Sequence, residues 1–191
     1  MVAIGDVCGK GAEAAAVTGT SRDVLRLLLL DGASLTDALH RLNRALTDHP
    51  SSSRFCTVAL ARFEIAAGVV HATISLAGHP EPVLLRADGS TALVGEPGDL
   101  LGVLPDATLD LTESAVTLHP GDALVLYTDG VTERRDGRRM FGQSGLQQVL
   151  SASAGQDADS IAAHAEEAAR SFVDSELRDD LALLVVRHSP S

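Results

Sequence analysis

The chain has 191 residues, with 26 acidic and 15 basic side chains for a net charge of −11, and is 45% hydrophobic but only 3% aromatic. That length suits a single domain, residues 1–191, whose core must be built from Leu, Val and Ala, and the negative charge argues against a nucleic-acid or anionic-membrane partner. No run approaches the ~20 apolar residues of a bilayer span, no signal peptide is present, and Cys8 and Cys56 make no disulfide framework, so the cytoplasm is the expected compartment.

Met1 to Ile4 reads as a short strand, followed by the glycine turn Gly5-Asp6-Val7-Cys8-Gly9-Lys10-Gly11. Gly11 to Leu30 reads as a helix, with Val17, Val24, Leu25 and Leu28 at helical spacing and Asp31-Gly32 ending it. Ser34 caps a second helix, with Asp37 three residues on and Leu35, Ala38, Leu39, Leu42 and Leu46 as its apolar stripe. The segment His49 to Ser53 reads as a loop. Phe55–Ile65 and Val69–Ala77 read as a hairpin through Ala66-Ala67-Gly68. A second hairpin joins 83–86 to 91–94 through Asp88-Gly89. After a Gly/Pro-rich loop, Leu109–Leu118 alternates in part and leads to a strand over 123–128. Glu133 to Gly142 reads as a charged, flexible flap. Helices are expected over 146–151 and 159–172, and a last strand over 181–187. The order of elements makes an α+β pattern.

Three acidic positions fall at strand ends. Asp6 leaves the first strand, Asp129 follows the apolar run Ala123–Leu126, and Asp179-Asp180 precede the run Leu181–Val186. Antiparallel pairing of the last two runs would set Asp129 beside Asp179 and Asp180, and Asp6, leaving its strand with the same polarity, can join them. Carboxylates gathered in this way repel one another unless a cation sits among them. Oxygen-only ligands suit magnesium or manganese rather than zinc. Such a metal also reverses the local sign of an acidic chain, which leaves a phosphoprotein open as a partner.

The ordered set Gly5-Asp6-Val7-Cys8-Gly9-Lys10-Gly11, Ala77-Gly78-His79-Pro80, Gly121-Asp122, Tyr127-Thr128-Asp129-Gly130-Val131-Thr132-Glu133, Phe141-Gly142 and Asp179-Asp180-Leu181 resembles the bacterial SpoIIE/RsbU-type branch of the metal-dependent PP2C-like (PPM) protein phosphatases. The resemblance runs over nearly the whole chain. It implies a PP2C-like sandwich of two mainly antiparallel sheets flanked by helices (α-β-β-α). It implies hydrolysis of phosphoserine or phosphothreonine with two Mn²⁺ or Mg²⁺ ions. Asp6 would bridge the ions, Asp129 and Asp179 would hold one of them, and Val7 would offer its backbone carbonyl to the other. The resemblance favours Asp179 over Asp180 as ligand, the other acid supporting it. The implied substrate is a phosphorylated anti-anti-sigma (STAS-type) protein in stress or developmental signalling, and an upstream sensor domain is the usual companion in a longer chain.

The family also carries an acidic Gly-Gly-Asp-type motif upstream of the Gly-Asp-Val turn, and the chain starts five residues before Asp6. The expectation is an N-terminally truncated domain, nearly inactive as it stands, whose sheet presents unpaired N–H and C=O groups at the first strand and so favours a homodimer over fraying of residues 1–10. A catalytically dead pseudophosphatase or binding module is the rival class. Lys10 reads first as a solvated lysine, and as a holder of anionic substrate in the alternative. The nucleotide-binding loop it hints at lacks the required Ser/Thr, since Gly11 stands there. Cys56 and Arg62 match the C-x5-R of cysteine phosphatases, but the residues between them are apolar and strand-like. His79 reads as a structural turn histidine.

Overall fold

A computed structural model describes residues 1–48, 55–173 and 180–189. Strand β1 spans Val2–Val7, helix α1 Ala12–Leu30 and helix α2 Leu35–Thr47. They are followed by β2 (Cys56–Ala66), β3 (Val69–Ala77), β4 (Val83–Leu85), β5 (Thr91–Leu93), a short 3-10 turn (Asp106–Thr108), β6 (Ser114–Leu118) and β7 (Ala123–Tyr127). The chain continues through α3 (Asp129–Thr132), β8 (Arg135–Asp136), β9 (Arg139–Met140), α4 (Gly142–Ala152), α5 (Ala158–Ser171) and β10 (Leu183–Arg187). Two four-stranded sheets result, ordered β1-β2-β3-β6 and β10-β7-β4-β5, together with the two-stranded β8-β9. Helices and antiparallel sheets thus give the α+β class expected from the pattern.

The chain divides into two compact units, one of residues 1–62, 73–79 and 95–115, the other of residues 63–72, 80–94 and 116–191. Each has its own apolar core. In the first, Leu25 and Leu29 of α1 and Leu35, Leu39, Leu42 and Leu46 of α2 pack with Cys56, Val58 and Leu60 of β2 and with Leu101 and Leu109. The start of α2 follows from local chemistry: the Ser34 side chain accepts a hydrogen bond from the Asp37 N–H at 3.0 Å, satisfying one of the donors left over at a helix start. In the second unit, Val83, Leu85, Val125 and Tyr127 pack with Leu146, Leu150, Ile161 and Ala165 of α4 and α5.

Strand β1 corrects the sequence reading. It runs on through Gly5 and Asp6 to Val7, each residue paired with one of β2: Gly5 with Val58, Asp6 with Thr57, Val7 with Cys56. Gly5 is therefore not a bending residue. It stands where a side chain would collide with the facing strand, since a Cβ there would lie 2.6 Å from the Thr57 carbonyl oxygen. The turn proper is residues 8–11, and Gly11, at φ 86°, adopts the left-handed backbone that glycine tolerates. Asp6 is thus an in-strand carboxylate rather than a strand-end one.

Candidate active site

In the first unit, β1 sets Asp6 on the same strand face as Val2 and Ile4, because side chains alternate along a strand. All three are half-buried. They line a groove of about 380 Å³ shared with Leu25 and Leu29 of α1 and Val58 of β2. Val7 packs against the core of this unit, which leaves its backbone carbonyl as the group it could offer. Lys10 lies exposed in the turn.

Thr57, the cross-strand partner of Asp6, shares a 2.9 Å hydrogen bond with Nδ1 of the buried His79. Sequence reading missed this support. His79 stands in a recognisable Gly-His-Pro motif, but Thr57 belongs to none, and the two lie 22 residues apart.

Cys56 is fully buried in β2, and its N–H and C=O both bond to Leu101 at 3.0 and 3.1 Å. Burial, helped by the nearby Asp6 carboxylate, pushes its thiol up to about 12. It therefore stays protonated, and thiolate is the reactive form. Arg62 donates to the Ala33 carbonyl oxygen at 2.6 Å. The Cys56–Arg62 pair thus lies on one strand and makes no phosphate loop.

In the second unit, β7 and β10 pair antiparallel as expected, with Tyr127 opposite Leu183 and Ala123 opposite Arg187. The start of β10 is tied beside the end of β7 by Thr128. Its hydroxyl donates to the Asp180 carbonyl oxygen at 2.9 Å and accepts from the Ala182 N–H at 3.0 Å, while its own N–H donates to the Ala182 carbonyl oxygen at 3.1 Å. Asp129 follows at once as the first residue of α3, and Gly130, Val131 and Thr132 are buried. Its carboxylate is half-buried, and among the described residues it makes no hydrogen bond or ion pair. Asp180 is exposed at the head of β10. Asp179 lies outside the described residues.

Among the described residues, no three His, Cys, Asp or Glu side chains group closely enough to hold a metal ion. Taken one at a time, the carboxylates are of the type a hard cation takes. Asp6 and Asp129 are oxygen donors with partial access to solvent, the setting that magnesium and manganese take.

Residues 1–189 match the family described as Stage II sporulation protein E (SpoIIE). The chain belongs to the SpoIIE family. It is similar to the phosphoserine phosphatase RsbU of Bacillus subtilis, with 27% identity over 187 residues, 97% of this chain and 55% of that protein. It is also similar to the crystal structure of the RsbU and RsbW domains of Rv1364c from Mycobacterium tuberculosis, with a TM-score of 0.81 and 27% identity over 99% of this chain and 52% of that one. RsbX in complex with magnesium shares the fold alone, at 14% identity and a TM-score of 0.63 over 96% of this chain and 78% of that one. The SpoIIE-family fold is thus that of PP2C-type phosphatase domains. The chain spans between 28% and 55% of the curated relatives it matches. No helix among the described residues is long and apolar enough to cross a membrane.

Proposed function

We propose that this SpoIIE-family chain is a metal-dependent protein serine/threonine phosphatase in which Asp6, Asp129 and Asp179 supply the metal-holding carboxylates. The observation that carries the reading is Asp129: a half-buried carboxylate with no partner among the described residues, at the head of a helix whose other residues are buried. A half-buried carboxylate is costly unless something compensates its charge. Val7 would add its backbone carbonyl, Asp180 would support Asp179, and Lys10 would attract the anionic substrate from the exposed turn. Two bound Mn²⁺ or Mg²⁺ ions would supply phosphoryl polarisation and an activated water for in-line attack. The chain's own part is to hold the carboxylates still. Asp6 is held by the β1–β2 ladder, and Asp129 by β7 and the Thr128 bonds to residues 180 and 182. No protein nucleophile is required.

The substrate proposed is a phosphorylated anti-anti-sigma protein in the cytoplasm, by similarity to RsbU and to Rv1364c, whose structure pairs an RsbU domain with an RsbW domain. The same reading keeps an upstream sensor domain in a longer chain. It also keeps a homodimer through β1, which lies at the edge of its sheet with exposed Met1 before it. Light scattering at micromolar concentration is expected to give twice the chain mass, and a strict monomer would rule the dimer out.

Hydrolysis of p-nitrophenyl phosphate tests the activity. It is expected to appear on adding Mn²⁺, to vanish with EDTA and to survive Cys56→Ser, because the Cys56 thiol stays protonated and buried. Activity that ignores EDTA but is lost in Cys56→Ser would replace this reading with cysteine chemistry.

A further inference from the structure

The strongest local departure from the chain's acidity is the stretch Glu133 to Met140, in which four arginines stand against two acids for a net charge of +2 in a chain of −11. It forms the β8–β9 hairpin, with Arg135 opposite Met140 and Asp136 opposite Arg139. Every residue from 135 to 140 is exposed. The hairpin is nevertheless anchored. The Phe141 N–H donates to the Arg134 carbonyl oxygen at 2.9 Å, and buried Arg134 donates through Nε to the Ala169 carbonyl oxygen at 3.1 Å. Phe141 and Phe172 pack with ring centroids 5.6 Å apart, and the Arg139 guanidinium lies 5.4 Å from the Phe172 centroid. That stacking orients Arg139 while leaving its edge N–H groups for a ligand. Among the described residues, no carboxylate forms an ion pair with Arg135, Arg138 or Arg139. The hairpin begins two residues after Glu133, which closes the helix headed by Asp129.

We infer that the β8–β9 hairpin is a docking surface for an acidic segment of the protein substrate, with Arg135, Arg138 and Arg139 pairing with carboxylates that flank the phosphorylated residue. This rests on the phosphatase reading for its context. An acidic substrate approaching a chain of −11 meets net repulsion except where the sign is locally reversed. Arginine on an anchored hairpin supplies that reversal, with a planar fork that matches carboxylates in two bonds. Nucleic acid is the other polyanion such a patch could take, and the acidity of the rest of the chain weighs against an extended polyanion.

Fluorescence anisotropy decides it. The probes are a labelled phosphoserine peptide flanked by Asp and Glu, the same peptide with Asn and Gln at those positions, and a single-stranded oligonucleotide of similar charge. Wild type is expected to bind the acidic peptide about tenfold more tightly than the neutral one at low salt, the sum of several exposed ion pairs. The preference is expected to shrink with added salt and to be lost in R135Q/R138Q/R139Q. Because Arg139 also stacks on Phe172, the double variant R135Q/R138Q is measured alongside, and it is expected to lose most of the preference with an unchanged melting temperature. Equal affinity of wild type for the two peptides would overturn the inference, as would a preference that persists in both variants or an oligonucleotide bound as tightly as the acidic peptide. Loss of Mn²⁺-dependent hydrolysis with the peptide preference intact would instead sink the phosphatase reading and leave the docking surface standing.

Discussion

Asp129→Asn is expected to reduce Mn²⁺-dependent hydrolysis of p-nitrophenyl phosphate by about 100-fold or more, with little change in melting temperature. Loss of an outer partner of a metal ligand already costs roughly 10–100-fold, and a ligand itself is expected to cost at least as much. The fold is expected to tolerate the change, because the Asp129 side chain makes no hydrogen bond among the described residues. The Asp129 backbone carbonyl, which accepts from the Glu133 N–H at 2.7 Å, is untouched by the substitution. A variant with wild-type rates would remove Asp129 from the reaction. A variant that simply unfolds would show that the residue is structural.

Asp122→Ala is expected to act on stability instead. The buried Asp122 carboxylate accepts from Arg86 Nη1 at 2.7 Å, from the Ala87 N–H at 2.9 Å and from the His119 N–H at 2.9 Å. It ties the loop before β7 to the end of β4. Its own backbone carbonyl accepts from His188 beyond β10 at 2.9 Å. Removing the carboxylate is expected to cost about 2–3 kcal/mol, the scale of hydrogen bonds to a charged group. Arg86, with 39% of its side chain exposed, can return to water and keeps the loss from being larger. The melting temperature is expected to fall by about 4–12 °C for a chain of this size. Asp122→Asn, which retains an acceptor oxygen, is expected to lose less.

The pH dependence follows from the same group. Burial alone would raise the Asp122 carboxyl, but Arg86 and the two backbone N–H groups outweigh it and hold it below the usual carboxylate range. A carboxyl depressed in the folded state contributes stability that is fully present above its unfolded value, about 3.9, and is lost as the pH falls through the lower folded value. Thermal melts at descending pH are therefore expected to show a wild-type loss below about pH 4. Asp122→Ala is expected to lack that component. Parallel pH profiles for the two proteins would contradict the assignment.

Where local chemistry decides an element, the sequence reading and the structure agree. Ser34 and Asp37 mark the start of α2 because the cap bond spans only three residues. The β2–β3 hairpin was legible in Ala67-Gly68, whose positive φ values of 50° and 78° close the turn. Where packing against a neighbour decides, the reading and the structure differ. Helix α4 begins at Gly142 rather than near residue 146; Gly145, a poor helix former, is accommodated there because the Phe141 ring fills the space a side chain would need. The partial alternation over 109–118 gives a strand only from Ser114, while Leu109 packs into the first core from a loop. The flap over 133–142 is a hairpin, held by an arginine whose carbonyl partner lies 35 residues away.

The candidate site divides along the same line. The types and order of Asp6, Asp129 and Asp180 were visible, as was the antiparallel meeting of β7 and β10 that sets Asp180 and Ala182 beside Thr128. The supports were not visible: Thr128 reaches partners 52 and 54 residues on, and Thr57 meets His79 across 22. The sequence puts Asp6 at a strand end because glycine reads as a bend. In the fold, Gly5 instead lets two strands approach, and Asp6 gains the rigidity of a paired strand.

The proposed reaction rests on metal binding by Asp6 and Asp129. Titration calorimetry with Mn²⁺ on wild type, Asp6→Asn and Asp129→Asn tests it without depending on turnover. Wild type is expected to bind measurably and each variant at least tenfold more weakly, on the scale of losing a metal-site partner. Three superimposable isotherms from folded proteins would contradict it.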